Sequence, residues 1–198
     1  MTSNQTRRSV MASGLAALGL AALPHSARAL TEARARALID QVVSDINRVI
    51  ASGQPLSRMV PEFERIFTRY SDVPIIARST LGADANRISE AQLRAYTKTF
   101  RGYVARKYGK RFKEFIGGRI EVNDVREVKS WHEVRSTAYL PGQSPFEVSF
   151  LVSDRSGQDK FFDMVIEGIS LRLSERTEIG AMLDRRNGDI GALIADLK

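Results

Sequence analysis

The sequence predicts an α+β fold: a meander of four antiparallel strands whose apolar face is covered by helices. Apolar residues recur every three or four positions from Thr31 to Ile116, the signature of helix faces. From Ile120 to Ile166 they recur every second position, as in strands with one buried side. Helical spacing returns from Leu173 onward, so helices flank the sheet on both sides in sequence.

The N-terminus stands apart from this scheme. TRRSVMASGLAALGLAALPHSARA has a basic start, an apolar run from Val10 to Leu23, a helix-breaking Pro24 and an Ala27-Arg28-Ala29 ending. That layout predicts a cleavable export signal over residues 1–29, and the run is short for a membrane anchor. Arg7-Arg8 followed by Ser9 resembles a twin-arginine signal, although an aromatic is commoner where Val10 sits. Cleavage after Ala29 removes Arg7, Arg8 and Arg28 and no acid, so the formal charge falls from +7 to +4. The remaining 30–198 reads as a single exported α+β domain.

Within that domain, Ala35, Leu38, Ile39, Val42, Ile46, Val49 and Ile50 form one helical face, ended near Gly53 and Pro55. Met59, Val60, Phe63, Ile66, Phe67 and Tyr70 form a second, with Pro61 expected in the first turn, where its missing N–H costs nothing. Asp72 caps a third helix that opens with Val73-Pro74, carries Ile75, Ile76 and Leu81, and stops at Gly82. Ser89-Glu90-Ala91-Gln92 has the form of a capping box, with Ile88 and Leu93 placed to staple it. A long helix through Leu93, Tyr96, Phe100, Tyr103, Val104 and Tyr108 follows. A short piece over 111–116 then leads to Gly117-Gly118.

The strands carry Ile120 and Val122; Val134, Ser136, Ala138 and Leu140; Phe146, Val148, Phe150 and Val152; and Phe162, Met164 and Ile166. Pro141-Gly142 and Ser156-Gly157 supply turns. Helices then run over about 173–187 and 189–197.

Composition and motifs argue against catalysis. With no cysteine there is no disulfide, thiolate metal site or cysteine nucleophile. His132 is the only histidine left after cleavage, and no motif surrounds it, so a structural role is favoured over a triad or a metal site. Asp163 and Glu167 share one strand face, which a solvated sheet surface explains. Gly117-Gly118 lacks the lysine and hydroxyl residue of a phosphate loop. Basic residues are interspersed with acids rather than gathered in a stripe, so nucleic acid is not an expected partner. What remains is a large apolar inventory on both layers. Spacing alone does not distinguish a filled core from the wall of a pocket.

The run FFDMVIEGISL carries a resemblance. Asp163, Met164, Ile166, Glu167, Gly168, Ile169, Ser170 and Leu171 are similar to the D-V-x-I-E-G-V-S-L pattern of the MlaC, or toluene-tolerance, family. A helix near Glu175-Arg176-Thr177-Glu178-Ile179 and the ending G-D-I-G-A-L-I-A-D-L follow as they do there. Phe67-Thr68-Arg69-Tyr70, Ala77 with Leu81-Gly82, Ser89 to Phe100, and Tyr103 with Tyr108 match in order and spacing. The chain departs from the family after Leu81-Gly82, where Ala83 to Arg87 lack the usual tryptophan.

The resemblance implies a curved antiparallel sheet of about four strands with helices on its concave face and a lipid pocket between the layers. It implies a non-enzymatic periplasmic carrier with no cofactor and no metal, whose cargo is phospholipid. The implied partners are an inner-membrane MCE-type ABC transporter and an outer-membrane lipoprotein complex, and the implied role is maintenance of outer-membrane lipid asymmetry. Hopanoid or another polycyclic lipid is an alternative cargo, and a transporter adaptor that binds no lipid is an alternative role. The residues expected on the pocket wall are Phe67, Ile75, Ile76, Leu81, Phe100, Tyr103, Val104, Val148, Phe150, Met164 and Ile166. Arg101, Arg106 and Arg119 are candidates for meeting an acidic partner or a head group.

Overall fold

The computed structural model describes residues 29–198, with backbone alone at Phe112 and Lys113. The expected export signal lies outside the described residues apart from Ala29.

Thr31 opens the first helix, its hydroxyl accepting from the Arg34 amide at 3.3 Å. α1 (Glu32–Ala51) then buries Ala35, Ile39, Val42, Ile46 and Ile50 along one stripe. α2 (Leu56–Tyr70) begins earlier than the sequence suggests, so Pro61 lies inside it rather than in its first turn. The helix tolerates one missing amide donor because Met59, Ile66, Phe67 and Tyr70 anchor it by burial. Asp72 caps α3 (Val73–Leu81), accepting from the Ile75 amide at 3.2 Å, and a 3₁₀ turn over Gly82–Asn86 follows. Both bonds of the Ser89/Gln92 capping box are present at the start of α4 (Glu90–Gly109). A single turn, α5 (Phe112–Phe115), leads into the sheet.

The sheet is an antiparallel meander in the order β1 (Arg119–Val128), β2 (Trp131–Tyr139), β3 (Phe146–Ser153), β4 (Lys160–Ile166) and β5 (Ile169–Ser170). α6 (Leu171–Arg185) and α7 (Ile190–Asp196) complete the chain. Val134, Ala138, Val148, Phe150 and Val152 are buried beneath the helices. The opposite face carries polar pairs, with Arg135 on Asp124 at 3.0 Å and Asn123 on Thr137 at 2.7 Å. α1 packs on β1 and α2, α4 on α2, α3 and α7, and α3 on α6.

Three features differ from the expected pattern. β1 is longer than Ile120 and Val122 suggest, because its register shifts between Val122 and Asp124 and its outer half is polar. A bulge in β4 is the second. Val152 pairs with Phe161 while the adjacent Leu151 pairs with Asp163, so Phe162 is an extra residue. It is therefore Phe161 that joins Met164 and Ile166 on the helix-facing side. Phe162 instead sets its ring edge-on to Trp131 at 6.1 Å, and Trp131 alternates with the polar-face residues Glu133 and Arg135. The third is the short strand β5. Glu167 (φ 48°) and Gly168 (φ 80°) form a two-residue turn that pairs Ile166 with Ile169. Two consecutive positive φ angles match the twist of a tight hairpin, and glycine takes the second without a Cβ penalty.

Ser170 ends this hairpin and at once caps α6, accepting from the Leu173 amide at 3.0 Å, so the helix starts at Leu171 rather than near 173. Where β5 does not reach, the edge of β4 is covered by the α2–α3 junction. Ser71 bridges Phe161 in parallel, and the Asp72 amide donates to the Phe161 carbonyl at 2.8 Å.

Gly118 is a close-approach position between α5 and the sheet. A Cβ built there would sit 2.6 Å from the Tyr139 carbonyl oxygen and 2.8 Å from Leu140 Cδ2. Because the first contact is backbone, Gly118→Ala is expected to destabilise the protein by about 1–3 kcal/mol, measured as a shift in its urea midpoint. An unchanged midpoint would show that α5 can move away without loss.

Candidate functional site

The helix layer and the sheet do not close on each other completely. Between them lies a partly open, mostly apolar cavity of about 80 Å³. Val42 and Ile46 of α1 line it, as do Phe63, Ile66 and Phe67 of α2, Phe150 of β3 and Phe161 of β4. These side chains come together because α1, α2 and α4 each turn their apolar stripe to the same face of the sheet. A larger concavity of about 720 Å³ lies on the surface, edged by Arg78, Arg94, Lys98, Arg101 and Lys160. It is more open to solvent than the inner cavity.

Among the residues expected on the wall, Phe67, Ile76, Phe100, Val104, Phe150 and Met164 line this inner cavity. Five others are placed elsewhere. Ile75 borders the surface groove, one residue round the helix from Ile76. Leu81 is 4% exposed in the core at the end of α3, and Val148 is buried against the helices without reaching the cavity. Ile166, beside the β4–β5 turn, is half-buried against the core. Tyr103 packs its ring on Phe100 but sends its hydroxyl outward to Glu178 at 2.7 Å. The three candidate arginines are all engaged within the chain. Arg101 pairs with Glu64 at 2.8 Å, Arg106 donates to the Leu197 carbonyl, and Arg119 pairs with Glu121 while lying over the Tyr139 ring.

One wall of the cavity is polar, and sequence reasoning missed it. Asp163, read as part of a solvated face, is 4% exposed. Its carboxylate accepts from the Ser170 hydroxyl (2.6 Å), the Arg172 amide (3.0 Å) and the Met164 amide (2.8 Å). Arg172 also brings its Nε to 3.5 Å from Asp163 Oδ2. One turn further along α6, Glu175 is 2% exposed and accepts from Lys107 at 2.6 Å and from the Tyr108 hydroxyl. Asp163, Arg172, Glu175 and Tyr108 all line the cavity. The available signal was an acid in a buried helical stripe, since Glu175 lies four residues after Leu171 and four before the fully buried Ile179.

Electrostatics reinforce this wall. Burial pulls the Lys107 ammonium down, but its bonds to Glu175 and Glu178 outweigh that and hold it above its ordinary value. Burial, and then the bond to Glu175, pushes the Tyr108 hydroxyl up, so it stays a donor. Hydrogen bonds from Lys107 and Tyr103 hold Glu178 below the usual carboxylate range, against weaker desolvation. A depressed folded value contributes stability that is present above the unfolded value and lost as pH falls through the folded one. The thermal midpoint is therefore expected to fall as pH drops below 4.5, the ordinary value of Glu178, and Glu178→Gln is expected to lose part of that dependence. Identical pH profiles for the two proteins would remove Glu178 from the tie between α4 and α6.

His132 is 6% exposed and its Nδ1 has no hydrogen-bond partner. No hydroxyl or carboxylate among the described residues is bonded to it. Among the described residues there is no group of three or more His, Asp or Glu side chains able to hold a metal ion, and no helix is long and apolar enough to cross a membrane. The site's chemistry is thus that of an apolar chamber with one charged wall.

A solved structure with a similar fold is the phospholipid-binding protein of Ralstonia solanacearum in complex with a phospholipid. The two align with a TM-score of 0.70 at 18% identity, covering 82% of this chain and 94% of that one. The family described as MlaC protein matches residues 36–198, which takes in every helix and strand from α1 onward except the first turn of α1. The chain belongs to the MlaC family.

Proposed function

We propose that this protein is a periplasmic phospholipid carrier that loads and unloads while docked on membrane complexes. The observation that carries the reading is the apolar cavity between the helices and the sheet. Membership of the MlaC family and the phospholipid held by the Ralstonia relative support the cargo class. On this reading residues 30–198 act as one lipid-binding domain after loss of the export signal, and the protein binds rather than catalyses. The partners in this scheme are an MCE-type ABC transporter of the inner membrane and a lipoprotein complex of the outer membrane.

Magnitudes support a carrier that is handed its cargo. Two acyl chains hold roughly 30 methylenes, and at about 0.8 kcal/mol each their transfer from water is worth on the order of 24 kcal/mol. Release into water is therefore too slow to be useful, and transfer requires a second apolar environment in contact with the first. Size sets a further condition. A chamber of about 80 Å³ is smaller than the roughly 150 Å³ that accommodates benzene in an engineered protein cavity. Loading therefore needs the helices and the sheet to move apart along the apolar seam.

The same small volume favours a second reading, an adaptor that binds the transporter and carries no lipid. Incubation with vesicles containing fluorescent phospholipid, followed by gel filtration, separates the two. Lipid co-eluting with the protein at close to one per chain is the expected result. An adaptor would elute without lipid and still bind the transporter.

A further inference from the structure

We propose that Arg172 and Glu175 read the lipid head group, selecting a phosphodiester whose head group carries an N–H or O–H donor over one that has none. This rests on the carrier reading above and names the substrate class of the same cavity. Glu175 Oε1 is satisfied by Lys107 and Tyr108, whereas its Oε2 is buried without a hydrogen-bond partner. Arg172 Nε is likewise buried without one, its approach to Asp163 being a 3.5 Å charge contact. Both residues line the cavity. Buried polar atoms are rarely left unmatched in native proteins, and each unmatched one is a candidate contact for a ligand.

The chemistry of the two atoms defines what fits. A carboxylate oxygen only accepts and a guanidinium nitrogen only donates. The complementary group must offer an acceptor to Arg172 and a donor to Glu175. Residues three apart on a helix share a face, with Cβ atoms about 5–6 Å apart. A phosphate and an ammonium or hydroxyl joined by two carbons suit that spacing, as in phosphoethanolamine or phosphoglycerol. Phosphocholine has the phosphate, but its quaternary nitrogen has no N–H. Charge favours the same choice: among the lining residues Asp163 and Glu175 outnumber Arg172, so a head group with a positive or neutral donor end is preferred over a bare phosphate.

Placement agrees with a head-group role. The Arg172, Lys107 and Glu178 side chains keep 29%, 31% and 48% exposure, which puts this wall at the solvent end of the cavity. Fully buried Phe100 and Phe150 lie on the apolar side, where acyl chains would go.

The test is competitive uptake from vesicles of equimolar phosphatidylethanolamine and phosphatidylcholine, with phosphatidylglycerol against phosphatidylcholine as a second arm. Protein is re-isolated and its lipid quantified. The donor-bearing lipid is expected to be enriched about tenfold, the factor one charge-assisted hydrogen bond supplies. Glu175→Gln is expected to bring the ratio close to one. Arg172→Leu is expected to lower uptake of every phospholipid while keeping the ratio.

A series that needs no variant uses phosphatidylethanolamine with zero to three N-methyl groups. Enrichment should persist to the dimethyl lipid and collapse at the third methyl, where the last N–H is lost. Equal uptake of all four lipids, or full enrichment by Glu175→Gln, overturns this inference and leaves the carrier standing. Failure to take lipid from any vesicle overturns both.

Discussion

Asp163→Ala is expected to destabilise the protein by about 3–5 kcal/mol, the range for removing one member of a buried charged network. The carboxylate is 4% exposed and holds three hydrogen bonds, to the Ser170 hydroxyl and to the Met164 and Arg172 amides. Those bonds fasten the middle of β4 to the first turn of α6 across the β5 hairpin. Each bond to a charged acceptor is worth about 1.5–3 kcal/mol, and the three are not additive because they act on one junction. Removing the carboxylate also leaves the buried Arg172 Nε without its charge partner at 3.5 Å. Urea unfolding followed by fluorescence measures the loss, since the single tryptophan, Trp131, packs on Phe162 beside the junction. A loss below about 1 kcal/mol would mean that the carboxylate is a bystander and that α6 is held by apolar contacts alone.

A second large effect separates lipid binding from folding. Met164 lines the cavity and is only half-buried, whereas Phe150, its partner in the register, is 1% exposed and meets Phe161 edge-on at 5.6 Å. An aspartate at position 164 can keep part of its hydration, so Met164→Asp is expected to cost about 1–3 kcal/mol and leave the protein folded. In the loaded state its charge would face acyl chains without a counterion, and retained lipid is expected to fall at least tenfold. An aspartate at position 150 has no such relief. Phe150→Asp is expected to cost more than about 4 kcal/mol and to give protein that does not fold at all. Circular dichroism and lipid content measured on both variants check the contrast. If Met164→Asp keeps its full lipid complement, the cavity is not where the chains lie.

Much of this architecture is legible in the sequence because helix faces and caps are local. Ile39, Val42, Ile46 and Ile50 specify the buried stripe of α1, and Asp72 and Ser89 start their helices through bonds to amides three residues on. The bulge at Phe162 is not local. Spacing alone puts Phe162 on the face of Met164 and Ile166, and only the pairing of Leu151 with Asp163 and of Val152 with Phe161 shows that Phe161 turns inward instead. The burial of Asp163 is hidden from the sequence for a related reason. Its partners Ser170 and Arg172 reach it only after the Glu167-Gly168 turn reverses the chain, so a reading confined to one strand sends it to solvent. The cavity is the least legible feature, because Phe67 and Phe100 on its wall and Leu81 in the filled core carry the same periodic signal. Glu175 was the one local clue to it: an acid on the buried stripe of α6 needs partners, and Lys107 and Tyr108 account for only one of its oxygens.

Native mass spectrometry of residues 30–198, purified from cells without detergent, asks whether the chain carries lipid. A near-stoichiometric adduct whose extracted lipid is a phospholipid is the expected result for a carrier. A protein that flies bare and takes no lipid from phospholipid vesicles would contradict the carrier reading.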